Sequence, residues 1–157
     1  MGFAVKILVM SDSHRNIEAM LKAVAKESPG LILHLGDHEA DCAVIDMDYP
    51  EIPLRSVRGN CDRLSDVLDR DEFKLGGKLF FMTHGNLYNV KTGYSSIIEA
   101  AARKGADVLL FGHTHVPFVS VERGITVVNP GSIGTGRKTY AVLEIRNGTV
   151  ECEIKRV

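Results

Sequence analysis

The sequence predicts an α/β fold in which two packed β-sheets carry their helices on the outside. Short β-rich runs alternate with helical patterns at first, and the last third reads strand, turn, strand. About ten short strands stand against only two or three helices, which suits two packed sheets better than one doubly wound sheet.

The elements follow in chain order. "VKILVM" is the first strand. From Asn16 to about Lys26, apolar Ile17, Met20, Leu21 and Val24 recur at i, i+3, i+4 and i+7, the spacing of one helix face. Ser13 or Asn16 is placed to cap this helix, and "SPG" ends it. "LILHL" and "LRSVRG" are further strands. "FKLGGKLFFM" reads as a hairpin turning at Gly76-Gly77, and an amphipathic helix over roughly Tyr94 to Lys104 leads into the strand "DVLLF". Beyond Pro117, "FVSVERGITVVN" and then "TYAVLEI", Asn147-Gly148, "TVECEI" predict an antiparallel C-terminal third. No repeat or linker interrupts the chain. One domain over residues 1–157 is expected, since this length and a 45% hydrophobic content suffice for a sizeable core.

Composition excludes several classes of partner. A formal net charge of −1 with mixed signs offers no bulk field for gripping nucleic acid or an anionic membrane, so any preference for phosphate must come from a local site. The longest apolar runs are too short to span a bilayer. The start "MGFAVKILVMSDSH" lacks the basic stretch and cleavage site of a secretory signal, and Lys6 stands where myristoylation requires Ser or Thr. Cys42, Cys61 and Cys152 are odd in number and form no C-x-x-C pair, which argues against a disulfide framework or a zinc ribbon. A cytoplasmic protein with reduced thiols is expected. Antiparallel edges in the C-terminal third make a homodimer the assembly to test.

The placement of ligand-type residues carries most of the functional information. Asp12 and His14 follow "VKILVMS", Asp37 follows "LILHLG", Asn60 follows "LRSVRG", His84 follows "KLFFMT", and His113 and His115 follow "DVLLFG". Each lies just past the carboxyl end of an apolar strand, where open α/β sheets gather ligand-binding residues in one crevice. Carboxylate, amide and imidazole donors together suit Mn, Fe, Co, Ni or Zn rather than calcium or a thiolate site. Seven groups are too many for one such ion, whereas two ions roughly 3.5–4 Å apart, bridged by one carboxylate, would use them all. His113 and His115, at i and i+2 on extended backbone, would point the same way and each hold a different ion. Two divalent cations against Asp12 and Asp37 leave about +2 in the cleft, which favours an anionic substrate and acidifies a bridging water. The expectation is phosphoester hydrolysis by a metal-bridging hydroxide.

The blocks "DSH", "GD", "GNCD", "THG" and "GHTH", in this order over residues 12 to 115, resemble the signature of the calcineurin-like metallophosphoesterases. The later "NPGS" at 129 to 132 is similar to their small single-domain branch, the YfcE-like phosphodiesterases. The resemblance implies the metallo-dependent phosphatase fold, a four-layer α-β-β-α sandwich of two mixed sheets, with a dinuclear site. It implies that Asp12, His14, Asp37 and His115 hold one ion and Asp37, Asn60, His84 and His113 the other, with Asp37 as the bridge. Asp37, Asn60 and His113 are then the catalytic residues, and manganese is the first metal expected, with Ni, Fe, Co and Zn as alternatives. The chain departs from the family pattern twice. Cys61 replaces a His that assists phosphate binding or protonates the leaving group, which leaves that proton to water or Asp62. Asn86 replaces a His that commonly binds metal, which implies either a looser second ion or a different ligand assignment near His84.

Other readings separate on context. Asp12 and Asn60 are residue types that also serve turns and caps, but their joint placement favours a metal site. His34 fits a structural role, His38 adjoins Asp37 near the entrance, and Arg15 and Arg137 are within reach of the cleft. "GSIGTG" at 131 to 136 precedes a strand rather than a helix, so it is a rim loop offering backbone N–H groups to phosphate, not a dinucleotide loop. Cys61 as nucleophile lacks a separate His–Asp relay. A diester is the expected substrate. The competing functions are a non-catalytic interaction scaffold of the same fold with a vestigial metal site, and a metal-binding regulatory module.

Overall fold

The computed structural model describes residues 4–157. Ten strands occur among these residues: β1 (Val5–Met10), β2 (Leu31–His34), β3 (Leu54–Ser56), β4 (Arg70–Leu75), β5 (Lys78–Thr83), β6 (Val108–Leu110), β7 (Phe118–Glu122), β8 (Ile125–Asn129), β9 (Thr139–Arg146) and β10 (Thr149–Arg156). Three α-helices accompany them: α1 (Ile17–Glu27), α2 (Cys42–Asp48) and α3 (Ser95–Arg103). The strands form two five-stranded sheets, ordered β10-β9-β1-β2-β3 and β4-β5-β6-β8-β7. Both are mixed. In the first, β1–β2 and β2–β3 are parallel and β1–β9 and β9–β10 antiparallel; in the second, β5–β6 and β6–β8 are parallel and β4–β5 and β7–β8 antiparallel.

The period-2 geometry of a strand explains the layering. Ile7 and Val9 of β1 face the other sheet, in one core with Leu33, Phe80, Met82, Val108, Leu110, Val128 and Leu143. Leu8 and Met10 face the opposite way and pack with Met20 and Val24 of α1 and Ile45 of α2. On the second sheet, Phe81, Leu109 and Val127 pack outward against Ile97 and Ala101 of α3. Helix, sheet, sheet and helix therefore stack as four layers, as the sequence led one to expect.

Most local expectations hold. Asn16 caps α1, its Oδ1 accepting the Ala19 N–H at 3.1 Å. Gly76 and Gly77 turn the β4–β5 hairpin with φ of 57° and 78°, the left-handed pair that a two-residue hairpin turn needs. Two features differ. Helix α2 was not foreseen, because seven residues are too few to show a helical period. The C-terminal third is not one antiparallel unit: β7–β8 completes the second sheet, with β8 parallel to β6, while β9–β10 crosses to the first.

Candidate metal centre

The site is built from loops at the carboxyl ends of β1, β2, β3, β5 and β6. The first three strands belong to one sheet and the last two to the other, so the loops meet across the seam between sheets. Six of the seven expected residues fall into two groups. Asp12, His14 and His115 offer ligand atoms within 4.8 Å of one another, and Asp37, His84 and His113 do the same. The groups touch at His84, whose Nε2 lies 3.3 Å from Asp37 Oδ2 and 3.8 Å from Asp12 Oδ1.

Each carboxylate is fixed through one oxygen and presents the other. Asp12 Oδ2 accepts hydrogen bonds from Ser11 Oγ at 2.5 Å and the His113 N–H at 3.2 Å, leaving Oδ1 at 3.1 Å from His115 Nε2 and 4.0 Å from His14 Nε2. Asp37 Oδ1 accepts the Cys61 N–H at 2.9 Å, which turns Oδ2 toward His84. These approaches require glycine. A Cβ on Gly112 would stand 2.1 Å from Ser11 Oγ, and one on Gly59 would stand 2.2 Å from Asp37 Oδ1.

The backbone here is strained. Asp12, His14, Asp37, His113 and His115 have φ of 54°, 44°, 63°, 70° and 61°, each costing on the order of 1 kcal/mol for a side-chain-bearing residue. This corrects the expected geometry of "GHTH": β6 ends at Leu110, and neither histidine is on extended backbone. Two left-handed residues send His113 to Asp37 and His84, and His115 to Asp12. The histidines do serve different groups, but by turning rather than by strand alternation.

The donor set fits a divalent cation. His84 Nδ1 lies 2.8 Å from the Leu35 carbonyl, which only accepts, so its proton sits there and the Nε2 lone pair faces Asp37 and, at 3.1 Å, His113 Nδ1. A divalent cation shared by these nitrogens and the Asp37 carboxylate would satisfy all three at once. Burial opposes charge on His84, but the adjacent Asp37 and Asp12 carboxylates raise its pKa overall. Burial likewise opposes the charge on Asp37, yet the His84 ring and the Cys61 N–H hold its carboxyl well below the usual range. Burial, with His84 alongside, lowers the pKa of His113. His14 Nε2 is buried without a hydrogen-bond partner, an orphan that a metal ion would satisfy.

A supporting set of residues holds these loops, and the sequence reading missed most of it. Asp62 accepts four backbone N–H groups, those of Asp37, His38, Glu39 and Gly59, at 2.7 to 3.2 Å. It therefore braces the Asp37 loop and is not a free acid for the leaving group. Asn129 donates to the Gly112 carbonyl and Thr114 Oγ1, both at 3.0 Å, and Ser132 Oγ donates to the Asp12 carbonyl at 2.8 Å. That is the physical role of "NPGS". His34, fully buried, accepts the Gly36 N–H on Nδ1 and meets Ser13 Oγ with Nε2 at 2.9 Å; Ser13 in turn bonds Asp41 at 2.7 Å. The available signal was a polar residue inside or just after an apolar strand.

The remaining residues sit at the margin. Asn60 is exposed, with its amide 3.7 Å from Cys61 Sγ. The Cys61 thiol is pushed up by burial and the nearby Asp37 charge, which keeps it protonated. Asn86 opens a short 3₁₀ turn, Asn86–Tyr88. The His38 ring stands 5.0 Å from that of His14. Arg15 and Arg137 line two different cavities, the first with His38, Cys61 and Arg63, the second with His115 and Thr135. Loop 131–136 braces Asp12 more than it faces the cleft: the N–H groups of Ile133, Gly134 and Thr135 are bonded to Ser11, Asp12 and Ser132.

Known phosphoesterases resemble this chain in sequence and in fold. Residues 5–148 match the model of the calcineurin-like phosphoesterase superfamily domain. The chain is 34% identical over 151 residues to "Probable metallophosphoesterase YsnB" of Bacillus subtilis (strain 168), spanning 91% of this chain and 86% of that one. It is 30% identical over 101 residues to "Phosphodiesterase YfcE" of Escherichia coli (strain K12), spanning 57% and 51%. The crystal structure of a conserved predicted phosphoesterase from Streptococcus pneumoniae TIGR4 is similar at a TM-score of 0.82 and 25% identity, over 99% of this chain and 91% of that one. On the matched residues and the relatives together, the chain belongs to the calcineurin-like phosphoesterase superfamily, which uses divalent metals.

Proposed function

We propose that this chain is a dinuclear-metal-dependent phosphodiesterase, carried by one domain over residues 1–157 and working in the cytoplasm. The observation that supports it best is the meeting of two three-donor groups at His84. Asp12, His14 and His115 would hold one ion, and Asn60, His84 and His113 the other, with Asp37 shared between them. When bound, two divalent ions, Mn first and Ni, Fe, Co or Zn as alternatives, supply an activated water and neutralise charge on the phosphoryl oxygens.

The chain's own residues orient the donors and exclude competing bonds. Ser11 and the His113 N–H fix Asp12; the Cys61 N–H fixes Asp37; the Leu35 carbonyl holds the His84 proton on Nδ1. Preorganised dipoles of this kind need no rearrangement during reaction. With Asp62 engaged by four N–H groups and Cys61 a weak acid, the leaving group takes its proton from water. Diesters with good leaving groups tolerate that best, because phosphoryl transfer depends mainly on positioning and electrostatics. Among the described residues no helix is long and apolar enough to cross a membrane.

The rival is a non-catalytic scaffold of the same fold, which has no need of six agreeing donors. Purified protein loaded with Mn²⁺, Ni²⁺ or Zn²⁺ is expected to hydrolyse bis(p-nitrophenyl) phosphate faster than p-nitrophenyl phosphate, with Asp37→Asn and His113→Ala inactive. Faster monoester turnover overturns the diester preference, and inertness toward a broad panel overturns the enzyme.

A further inference from the structure

We propose that the pocket opening off His115 binds a second phosphoryl group of the substrate, so that the preferred diesters carry a further phosphate on one substituent. The proposal refines the phosphodiesterase reading and rests on it, while the binding arm below tests the pocket separately from the reaction. The pocket has a volume of about 440 Å³, within the range of small-molecule sites, and His115, Thr135, Arg137, Lys138, Lys155 and Arg156 are on its wall. The register of β9 and β10 sets Arg156 opposite Thr139 and Lys155 opposite Tyr140, which brings the end of β10 beside the loop carrying Arg137 and Lys138; Lys155, on the other face of the strand from Arg156, turns to Glu27.

Their charge is largely unanswered. Lys155 is tied to Glu27 at 3.0 Å. Among the described residues Arg137, Lys138 and Arg156 have no carboxylate within 4.0 Å, and Lys138 acts on the exposed Glu18 only from farther away. In the same loop the N–H groups of Gly136 and Arg137 reach no acceptor among the described residues, whereas those of Thr135 and Lys138 are bonded. Arg137 and Arg156 on the wall of one pocket offer the planar donor groups that match the several oxygens of a phosphate. Like charges held together without an anion repel, and a phosphate relieves that repulsion.

The link to the reacting centre is His115 itself. Its Nε2 lies 3.1 Å from Asp12 Oδ1 and its Nδ1 lies 3.4 Å from Thr135 Oγ1 on the pocket wall. A diester whose phosphorus lies against the Asp12 group therefore extends one substituent toward Arg137. The cavity lined by Arg15, Cys61, Arg63 and Leu64 takes the other.

The test compares the wild-type chain with the Arg137→Ala/Arg156→Ala double variant, in which both changed side chains are exposed. Metal-chelated protein is titrated with thymidine 3′,5′-bisphosphate by calorimetry. Binding is expected, weakened roughly tenfold or more in the double variant and by added salt. Absence of binding to the wild type, or equal affinity for both proteins, overturns the pocket. In the kinetic arm, metal-loaded protein is given thymidine 5′-(p-nitrophenyl phosphate) with or without a 3′-phosphate. The 3′-phosphate is expected to lower KM in the wild type and not in the double variant, with bis(p-nitrophenyl) phosphate turned over equally by both. Hydrolysis that ignores the 3′-phosphate overturns the pocket and leaves the phosphodiesterase standing. Binding with no hydrolysis at all supports the pocket and strikes at the phosphodiesterase.

Discussion

His84 Nε2 lies 3.3 Å from Asp37 Oδ2, joining the end of β5 in one sheet to the end of β2 in the other. In this contact a carboxylate held by one backbone N–H meets a ring whose proton is committed elsewhere. Asp37→Asn keeps the shape and removes the charge. It is expected to lower both bound metal and diester turnover by at least roughly 100-fold, beyond the effect of losing a supporting residue. Elemental analysis of dialysed protein beside the diester assay checks this; unchanged metal content removes Asp37 from the donor set.

Asp62 is the brace with the most to lose. Asp62→Ala leaves four backbone N–H groups without their acceptor. A stability loss of about 3 kcal/mol or more is expected, with a fall of about 10–100-fold in metal affinity as the Asp37 loop loosens. Urea unfolding and metal titration measure the two effects. Loss of activity with stability and affinity intact would show that Asp62 acts on substrate after all.

His34 makes folding pH-dependent. Burial, only partly offset by Asp12 and Asp62, pushes its pKa down to about 4. Between the ordinary value of 6.5 and about 4 the unfolded chain binds a proton that the folded chain refuses. This stability is therefore complete above the upper value and lost as pH falls through the window. From pH 7 to pH 5, metal-free wild type should lose about 2 kcal/mol more than His34→Gln. Parallel urea curves for the two proteins would contradict the assignment.

Glu27, on α1, behaves in the same direction at lower pH. Its buried carboxylate accepts from Tyr140 at 2.8 Å and is paired with Lys6 and Lys155, each at 3.0 Å. Burial opposes the charge, but these partners bring the pKa down to about 2. The contribution is present above the ordinary 4.5 and disappears as pH falls toward about 2. Glu27→Gln is expected to cost about 2–3 kcal/mol at pH 7. Its deficit against wild type should shrink below pH 4, as read by thermal or urea denaturation, and a deficit independent of pH refutes the ionic origin.

The sequence by itself determined which residues stand at strand ends. Apolar runs fix where each strand stops, and the chemistry of Asp12, His14, Asp37, Asn60, His84, His113 and His115 is visible immediately beyond. It also determined the layering, because alternate residues of runs such as "VKILVM" must bury opposite faces. Only the tertiary structure decided which hairpin joins which sheet: β7–β8 and β9–β10 look alike in sequence, and their partners β6 and β1 are chosen by long-range packing. The tertiary structure also sorted the histidines. Left-handed φ at His113 and His115 occurs beside the close approach of Gly112 to Ser11 and the hydrogen bond from Asn129 to the Gly112 carbonyl, long-range contacts with no local signature. Asp62 became a brace for the same reason, since the donors it satisfies are brought together only when the ends of β2 and β3 lie side by side.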